Sequence, residues 1–231
     1  RLIADSDQFD KLQQSIEKDP TRRALARAIV TQAEQLLGVE PITRQLQGRR
    51  LLDQSRRCVE RVLVLSFAYR LTGDSRFLHR CETEMNAAAG FKDWNPSHFL
   101  DVAEMTFALA IGYDWLFEDL SPETRDNVRR AIVSKGVALP FETRHKGWVR
   151  STNNWGQVCH GGLCAGALAV LEDEPDLAAR TVHNALQNVT YSMAAYAPNG
   201  GYPEGPGYRN YGPSYPVLLI AALYSALGTY F

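Results

Sequence analysis

Apolar residues recur along the chain at the three- and four-residue spacing of amphipathic helices, and strand-like alternation never lasts beyond a few residues. Mostly apolar segments alternate with segments that have one polar face. The apolar segments begin near residues 51, 97, 153 and 213, so the pattern repeats about every 50 residues. Helix pairs with such a period are typical of an α/α solenoid or toroid. The sequence therefore predicts an all-α fold of antiparallel helix pairs, with the apolar helices inside and the polar-faced helices outside.

Residues that begin and end helices mark the same boundaries. Gly73 is expected to end the helix that starts at Leu51, because glycine tolerates the left-handed conformation at a helix C-terminus. Ser97 and Asn153 are expected to cap the next two apolar helices, and Pro213 is expected to open the fourth.

In such an array the loops before the inner helices meet at one end, which we call the rim. Three of these loops are unlike core segments, because they are rich in aromatic, amide and glycine residues: residues 92–98, 144–155 and 199–212. Loops on a rigid scaffold are where binding and catalytic residues concentrate. We therefore place the candidate site at the rim.

Three tryptophans fall in these loops: Trp94, Trp148 and Trp155. Sugar rings stack on exposed indoles, so they are candidates for a glycan cleft, while core packing is the alternative for each. His98 lies at the rim close to Trp94 and is a further candidate for ligand binding. His160 is expected to be a core histidine in preference to a catalyst.

Two asparagines stand together at a predicted helix start. One is enough to cap the helix, and we assign that role to Asn153. Asn154 is then expected to point into the open space at the rim, with Gln157 one turn later on the same face. A neutral amide donor at the positive end of a helix suits a carboxylate ligand, and capping by both asparagines is the alternative.

Small residues dominate the helix that follows. Gly161, Gly162 and Gly166 alternate with alanines there, which leaves little side-chain bulk on one face. Such a face predicts the close approach of a neighbouring helix.

The segment 200–212 contains five glycines and three tyrosines. A tight turn with solvated tyrosines is the simplest interpretation, but a rigid aromatic loop also suits a binding site. Tyr208 stands next to Arg209, and a phenol works as an acid or base near neutral pH only where cations lower its pKa. Arg209 and Arg150 are the candidate cations.

Composition and charge exclude several classes of partner. The formal net charge of the 231 residues is −1, so no global field favours nucleic acid or an anionic membrane. No apolar run reaches the roughly 18 residues that a membrane span needs. The four cysteines have no zinc-binding or redox spacing and are expected to be buried, reduced side chains. We predict neither a metal nor a cofactor.

The segments NNWGQVCHGG and GGYPEGPGYRNYG resemble the helical N-terminal domain of heparinase II/III-like polysaccharide lyases, which include heparinases and oligoalginate lyases. RLTGD and AIGYDWLFEDLSPETR fit the same pattern, and the resemblance covers nearly the whole chain. It implies an incomplete α/α toroid, followed in that family by a β-sandwich. We therefore expect residues 1–231 to be a single toroid domain of a longer, periplasmic or secreted enzyme whose β-sandwich is absent here.

The resemblance also implies a reaction, β-elimination at a uronic acid of an acidic polysaccharide. Asn154 matches the asparagine that neutralises the uronate carboxylate, and Tyr208 matches the catalytic tyrosine, with Tyr211 as its rival. Position 155 is tryptophan where some relatives have a histidine. The residues expected to contact substrate are Gln157, Glu204, Trp155, Arg209, Tyr211, Trp148 and His98.

Two other functions remain open from the residues alone. A glycoside hydrolase on the same scaffold would need two carboxyl groups about 5 to 9.5 Å apart, for which Glu204 with Asp101 or Asp114 are the candidates. A helical module that binds glycan or protein without turnover is the third possibility.

Overall fold

A computed structural model describes residues 2–203 and 205–228, without the side chains of residues 143 and 206–210. Within these ranges the protein is all-helical and has no β-strand. Short 3-10 or π-helical turns occupy 133–137, 139–141, 143–145 and 194–196. The α-helices are α1 (Ser6–Lys18), α2 (Pro20–Leu36), α3 (Leu52–Thr72), α4 (Ser75–Ala89), α5 (Phe99–Trp115), α6 (Pro122–Ile132), α7 (Asn154–Ala169), α8 (Pro175–Met193) and α9 (Pro206–Leu227).

Several of the predicted helix boundaries are confirmed and two are wrong. Gly73 ends α3 in the left-handed conformation, with φ of 69°. The Asn153 side chain caps α7 by accepting a hydrogen bond from the backbone N–H of Trp155 at 3.0 Å. Ser97 does not cap α5, because its hydroxyl donates to the Asn95 side chain at 2.8 Å and His98 takes the cap position.

The start of α9 is the second correction. The helix begins at Pro206 and continues through Pro213 and Pro216, so half of the predicted loop 199–212 is helical. Proline is favoured in the first turn of a helix, where its missing N–H leaves no bond unmade. On the sequence alone either Pro206 or Pro213 could open the helix, whereas in the structure Pro206 opens it and Pro213 lies in its interior.

Four helices form a layer in the order α3, α5, α7 and α9, and α4, α6 and α8 pack against it. From N-terminus to C-terminus, the contacts between two neighbouring inner helices advance in the same direction along both helices. Gly162 and Gly166 of α7 lie against Ala103 and Thr106 of α5, and Gly161 lies against Tyr215 of α9. These inner helices are therefore parallel, their N-termini lie at the rim, and the predicted packing of helix pairs is confirmed.

The small-residue face of α7 brings its neighbours close, as predicted. A Cβ on Gly161 would lie 2.8 Å from the carbonyl oxygen of Tyr215, and a Cβ on Gly162 would overlap the carbonyl oxygen of Ala103. Side chains on α9 can therefore reach α5 over a helix that has almost no bulk at this point.

Residues near the N-terminus hold the opposite end of the inner layer together. The N–H of Leu2 donates to the Asp114 carboxylate at 2.6 Å, and Trp115 Nε1 donates to the Leu2 carbonyl at 2.8 Å. The N–H of Ile3 donates to the Ser225 hydroxyl at 2.9 Å. This segment joins the C-terminal ends of α5 and α9.

Two predictions from the sequence concern residues of the core, namely the four cysteines and Trp94. All four cysteines are buried and free, as expected. Trp94 is also fully buried, and its indole N–H donates to the Ala88 carbonyl at 2.9 Å. Trp94 is therefore a core residue, and its candidacy for sugar stacking is wrong.

Two further features concern membrane spanning and the exposed face of α9. No helix in the described ranges is both long enough and apolar enough to cross a bilayer. One side of α9 exposes a row of apolar side chains, namely Val217, Ile220, Tyr224 and Leu227.

Candidate active site

Helices α7 and α9 run side by side with a constant register. Residue 161 faces 215 and residue 157 faces 212, an offset of 54 to 55 positions. One turn nearer the N-termini, the same register places the backbone of position 208 beside Asn154. Both positions then lie at the rim ends of two adjacent parallel helices. The side chains of Tyr208 and Arg209, and the whole of Glu204, lie outside the described part of the chain.

Asn154 is less open than its sequence position indicates. Its exposed fraction is 4%, because α9 starts seven residues earlier than predicted and lies over it. A Cβ on Gly212 of α9 would be 3.6 Å from the Asn154 Cβ. The expectation that Asn154 points into open space is therefore corrected: the side chain lies in the α7–α9 interface.

Gln157 lies beside Asn154 under the same part of α9 and is fully buried. Its Oε1 accepts a hydrogen bond from the Tyr196 phenol at 3.1 Å, which fixes the orientation of the amide. The Tyr196 ring stacks on Tyr202 at a centroid distance of 4.7 Å. The Gln157 Nε2 has no hydrogen-bond partner among the described residues, so a buried donor is left pointing away from Tyr196.

A buried carboxylate that sequence reasoning missed lies on the inner face. Glu104 of α5 is 3% exposed and accepts hydrogen bonds from the phenols of Tyr211 at 2.6 Å and Tyr215 at 2.5 Å. Arg56 Nε of α3 lies 3.4 Å from the same carboxylate. A signal was present, because Asp101 and Glu104 are acidic residues in an otherwise apolar first half of α5.

This cluster contains Tyr211, one of the two tyrosines proposed for catalysis. Burial and the neighbouring Glu104 carboxylate raise the pKa of Tyr211 far above its usual range. Its phenol therefore keeps its proton and shares it with Glu104. Tyr211 is therefore poorly suited to act as a base, and the role of Tyr208 stays a prediction because its side chain lies outside the described residues.

His98 forms a dyad with a buried carboxylate. Its Nδ1 lies 2.6 Å from Asp101 Oδ1, while the other Asp101 oxygen accepts from the Leu51 N–H at 2.6 Å and the Asn95 amide at 2.7 Å. We infer that Nδ1 carries the proton and donates it to Asp101, which leaves the Nε2 lone pair available. The imidazole and the Trp155 indole make an edge-to-face contact, with ring centroids 5.0 Å apart.

The remaining tryptophans of the predicted cleft differ in access. Trp148 is 4% exposed, stacks on Phe99 with ring centroids 5.0 Å apart and makes an edge-to-face contact with His160. Its proposed role in sugar stacking is corrected, because the ring is almost wholly buried. Trp155 is half-buried and faces a rim pocket of about 260 Å³. The pocket is lined by Pro96, Ser97, Phe99, Arg144, His145, Gly147, Trp148, Ser151, Asn153 and Trp155.

His160 is the core histidine that the sequence predicted. Its Nε2 donates to the Val149 carbonyl at 3.0 Å, and burial lowers its pKa to about 4. The imidazole is therefore neutral at physiological pH and is enclosed by the packed helices.

The predicted cation Arg150 is engaged on α8. Its Nε lies 3.4 Å from the Asn188 side chain, and its guanidinium is 5.6 Å from the centre of the Tyr191 ring. Arg56 is instead the arginine that the described inner face presents, 4.4 Å from the centre of the Tyr211 ring.

The carboxylates considered for a hydrolase are poorly arranged for that chemistry. Asp101 is fully buried and both of its oxygens already accept hydrogen bonds. Asp114 binds Leu2 at the far end of α5, 13 residues or about 20 Å along the helix from Asp101. Asp114 therefore lies away from the rim, and Glu204, the partner in either predicted pair, lies outside the described part of the chain.

Other potential sites in the described part of the chain do not overlap with these residues. No group of three or more histidine, cysteine or acidic side chains there is arranged to hold a metal. Two larger clefts, each of about 550 Å³, lie between α4 and α6 and between α1 and α2. Neither contains a residue of the candidate site.

Comparison with known proteins gives no assignment. No protein-family model matches the sequence, and no curated protein is significantly similar to it.

Proposed function

We propose that this protein is a polysaccharide lyase that cleaves a uronic-acid-containing glycan by β-elimination. The observation that carries the proposal is the parallel register of α7 and α9, which sets positions 154 and 208 level at the rim. The positive ends of the inner helix dipoles also lie at this rim, and they favour an anionic ligand. The resemblance of the two motifs to heparinase II/III-like lyases points to the same two residues.

In the proposed reaction the Asn154 amide donates to the uronate carboxylate, and Gln157 Nε2 supplies a second donor. These preorganised donors stabilise the negative charge that develops when the adjacent carbon C5 loses its proton. The base takes that proton, the C5–H electron pair forms the C4–C5 double bond, and the C4–O bond breaks. The Tyr208 phenol gives its proton to the departing glycosidic oxygen, so no water is consumed.

Two groups are assigned as base, one for each epimer of the uronate. When the C5 proton and the leaving oxygen lie on the same face of the sugar, Tyr208 acts as the phenolate: it removes the C5 proton and then gives that proton to the leaving oxygen. His98 removes it from the other face, because Asp101 holds its Nδ1–H and leaves Nε2 able to accept. Trp155, Arg209 and Glu204 are assigned to substrate binding from the sequence.

The finer architecture that we propose is an incomplete α/α toroid. In a flat layer, α3 and α9 would be separated by three helix spacings, roughly 25 to 30 Å. Arg56 of α3 nevertheless contacts the Tyr211 ring of α9. Two side chains cannot bridge a flat layer of that width, so this contact supports a concave inner face. The partner is then an acidic polysaccharide in the concavity, and we place the enzyme in the periplasm or outside the cell.

A glycan-binding module without turnover is the second candidate. It is favoured by one observation, the 4% exposure of Asn154, which a catalytic contact with substrate would have to increase. The lyase therefore requires the first turns of α9 to move when substrate binds. A paired-carboxylate hydrolase has no comparable support, given the positions of Asp101 and Asp114.

Incubation of the protein with a panel of uronate glycans tests the proposal. Elimination creates an unsaturated uronate that absorbs in the ultraviolet, whereas hydrolysis gives saturated ends. Rising absorbance with one polymer of the panel is the expected result. Saturated products would contradict elimination, and glycan binding without any product would favour the binding module.

A further inference from the structure

Arg56 is held in a fixed orientation on the inner face. Its Nε lies 3.4 Å from Glu104 Oε1, and its guanidinium stacks 4.4 Å from the centre of the Tyr211 ring. Glu104 is itself fixed by two phenols, so the arginine is oriented by residues of two other inner helices. Stacking of this kind limits the freedom that an arginine side chain otherwise has.

The same guanidinium remains accessible. The Arg56 side chain is 47% exposed, while the Glu104 side chain beneath it is 3% exposed. Burial alone would lower the pKa of Arg56, but its contacts with Tyr211 and Glu104 outweigh burial and raise it, so the charge persists. Because the side chain is half exposed, the guanidinium N–H groups that face neither Glu104 nor Tyr211 can meet a ligand.

The position of Arg56 relates it to the proposed reaction centre. Its stacking partner Tyr211 is three residues after position 208, about 5 Å along α9. That distance is comparable to the length of one sugar unit. A glycan that runs along the inner face, with its uronate between Asn154 and position 208, would place a neighbouring sugar on the side of Tyr211 and Arg56.

We propose that Arg56 is a second anion-binding subsite, which takes the carboxylate or sulfate of the sugar adjacent to the one that reacts. This inference rests on the proposed lyase function. A planar guanidinium can bind either group through two parallel hydrogen bonds, which a lysine cannot reproduce. The preferred substrate is then a polymer with acidic groups on consecutive sugars.

Binding measurements test this subsite without depending on turnover. We would titrate the wild type and the Arg56→Gln, Arg56→Lys and Arg57→Gln variants by calorimetry with an unsulfated polyuronate and with a sulfated neutral glycan. Arg57 is exposed and follows Arg56 directly, on a different face of α3, so it is a matched charge control. The polymer that loses affinity on Arg56→Gln identifies the group that binds.

The expected result is a loss of roughly ten- to a hundredfold in affinity for Arg56→Gln, since hydrogen bonds to charged groups are removed. Arg56→Lys should recover only part of the affinity, and Arg57→Gln should bind like the wild type. The salt dependence of binding should also become weaker in Arg56→Gln than in Arg57→Gln. Thermal melting identifies any variant that has lost its fold. If Arg56→Gln is unfolded, the affinity of Arg56→Lys is compared with that of the wild type instead.

Three outcomes would overturn the subsite: unchanged affinity in Arg56→Gln, an equal loss in Arg57→Gln, or no wild-type binding to either polymer. Failure of the lyase proposal has a different signature. Arg56-dependent binding without any unsaturated product would retain the subsite and reject the elimination. Elimination together with unchanged binding in Arg56→Gln would retain the lyase proposal and reject the subsite.

Discussion

The phenol of Tyr211 donates a 2.6 Å hydrogen bond to the carboxylate of Glu104, although α7 lies between the helices that carry them. The glycine pair of α7 makes this contact possible, because Gly161 and Gly162 let α9 and α5 approach from either side. The first turns of α9 are therefore tied to α5 directly. That tie sets the position of the helix that carries Tyr208.

The first prediction concerns the stability that this cluster provides. Tyr211→Phe should lower the free energy of unfolding by about 1 to 2 kcal/mol, because a buried carboxylate loses one donor. Glu104→Ala should lower it by about 3 kcal/mol, since both phenols lose their acceptor, while the half-exposed Arg56 adds little. Chemical denaturation measures both. Tyr191→Phe, at a position that is 44% exposed, serves as the control, and an equal loss there would contradict the prediction.

A second prediction concerns the close approach at α7. Gly162→Ala should destabilise the protein by more than about 2 kcal/mol, because the new Cβ would overlap the backbone carbonyl of Ala103, which cannot swing away. Gly38→Ala has nothing within 4 Å of the added Cβ and should have little effect. Thermal melting of the two variants gives the comparison. Similar melting temperatures for Gly162→Ala and Gly38→Ala would show that α5 and α7 do not approach each other as closely as in the structure.

The third prediction is a pH dependence that arises from His160. Its pKa is about 4 in the folded protein, below the ordinary value of 6.5, so the unfolded chain binds more protons between these values. The contribution of the neutral imidazole to the free energy of unfolding is fully present above pH 6.5 and is lost as the pH falls towards 4. The loss between pH 7 and pH 5 should be roughly 2 kcal/mol. In His160→Gln the decrease should be smaller by that amount, and an unchanged decrease would show that His160 is not responsible.

The fourth prediction tests His98 as a base. His98→Gln should reduce kcat on the epimer that His98 serves by roughly 10² to 10⁴-fold, with a smaller change in KM. Asp101→Asn should also reduce kcat, because the carboxylate no longer selects the Nδ1–H tautomer. His79→Gln, which changes an exposed histidine, is the matched control. Full kcat in His98→Gln would remove this residue from the mechanism.

The alternation of helices could be predicted from the sequence because burial itself produces the pattern. Helix α5 is mostly apolar, apart from residues such as Asp101 and Glu104, since its neighbours bury nearly all of it, and the polar faces of α4 and α6 are those that meet water. Local chemistry also determined the Asn153 cap and the Gly73 stop. These features depend on residues that are close together along the chain.

The parts that could not be predicted depend on contacts between distant residues. Glu104 meets Tyr211 from 107 positions away, and no local pattern encodes that pairing. The burial of Asn154 follows from where α9 begins, and two prolines fit that start equally well. Trp94 and Trp148 resemble exposed loop aromatics in the sequence, but the packing of the helices encloses them.

The most direct test of the lyase is the rate of unsaturated product formation in Asn154→Ala and Tyr208→Phe. Tyr191→Phe serves as a fold-neutral control, and Tyr211→Phe as the rival catalytic residue. We expect both site variants to lose at least a hundredfold in kcat/KM, while Tyr211→Phe keeps most of its kcat and Tyr191→Phe resembles the wild type. Wild-type rates in Asn154→Ala and Tyr208→Phe would contradict this expectation.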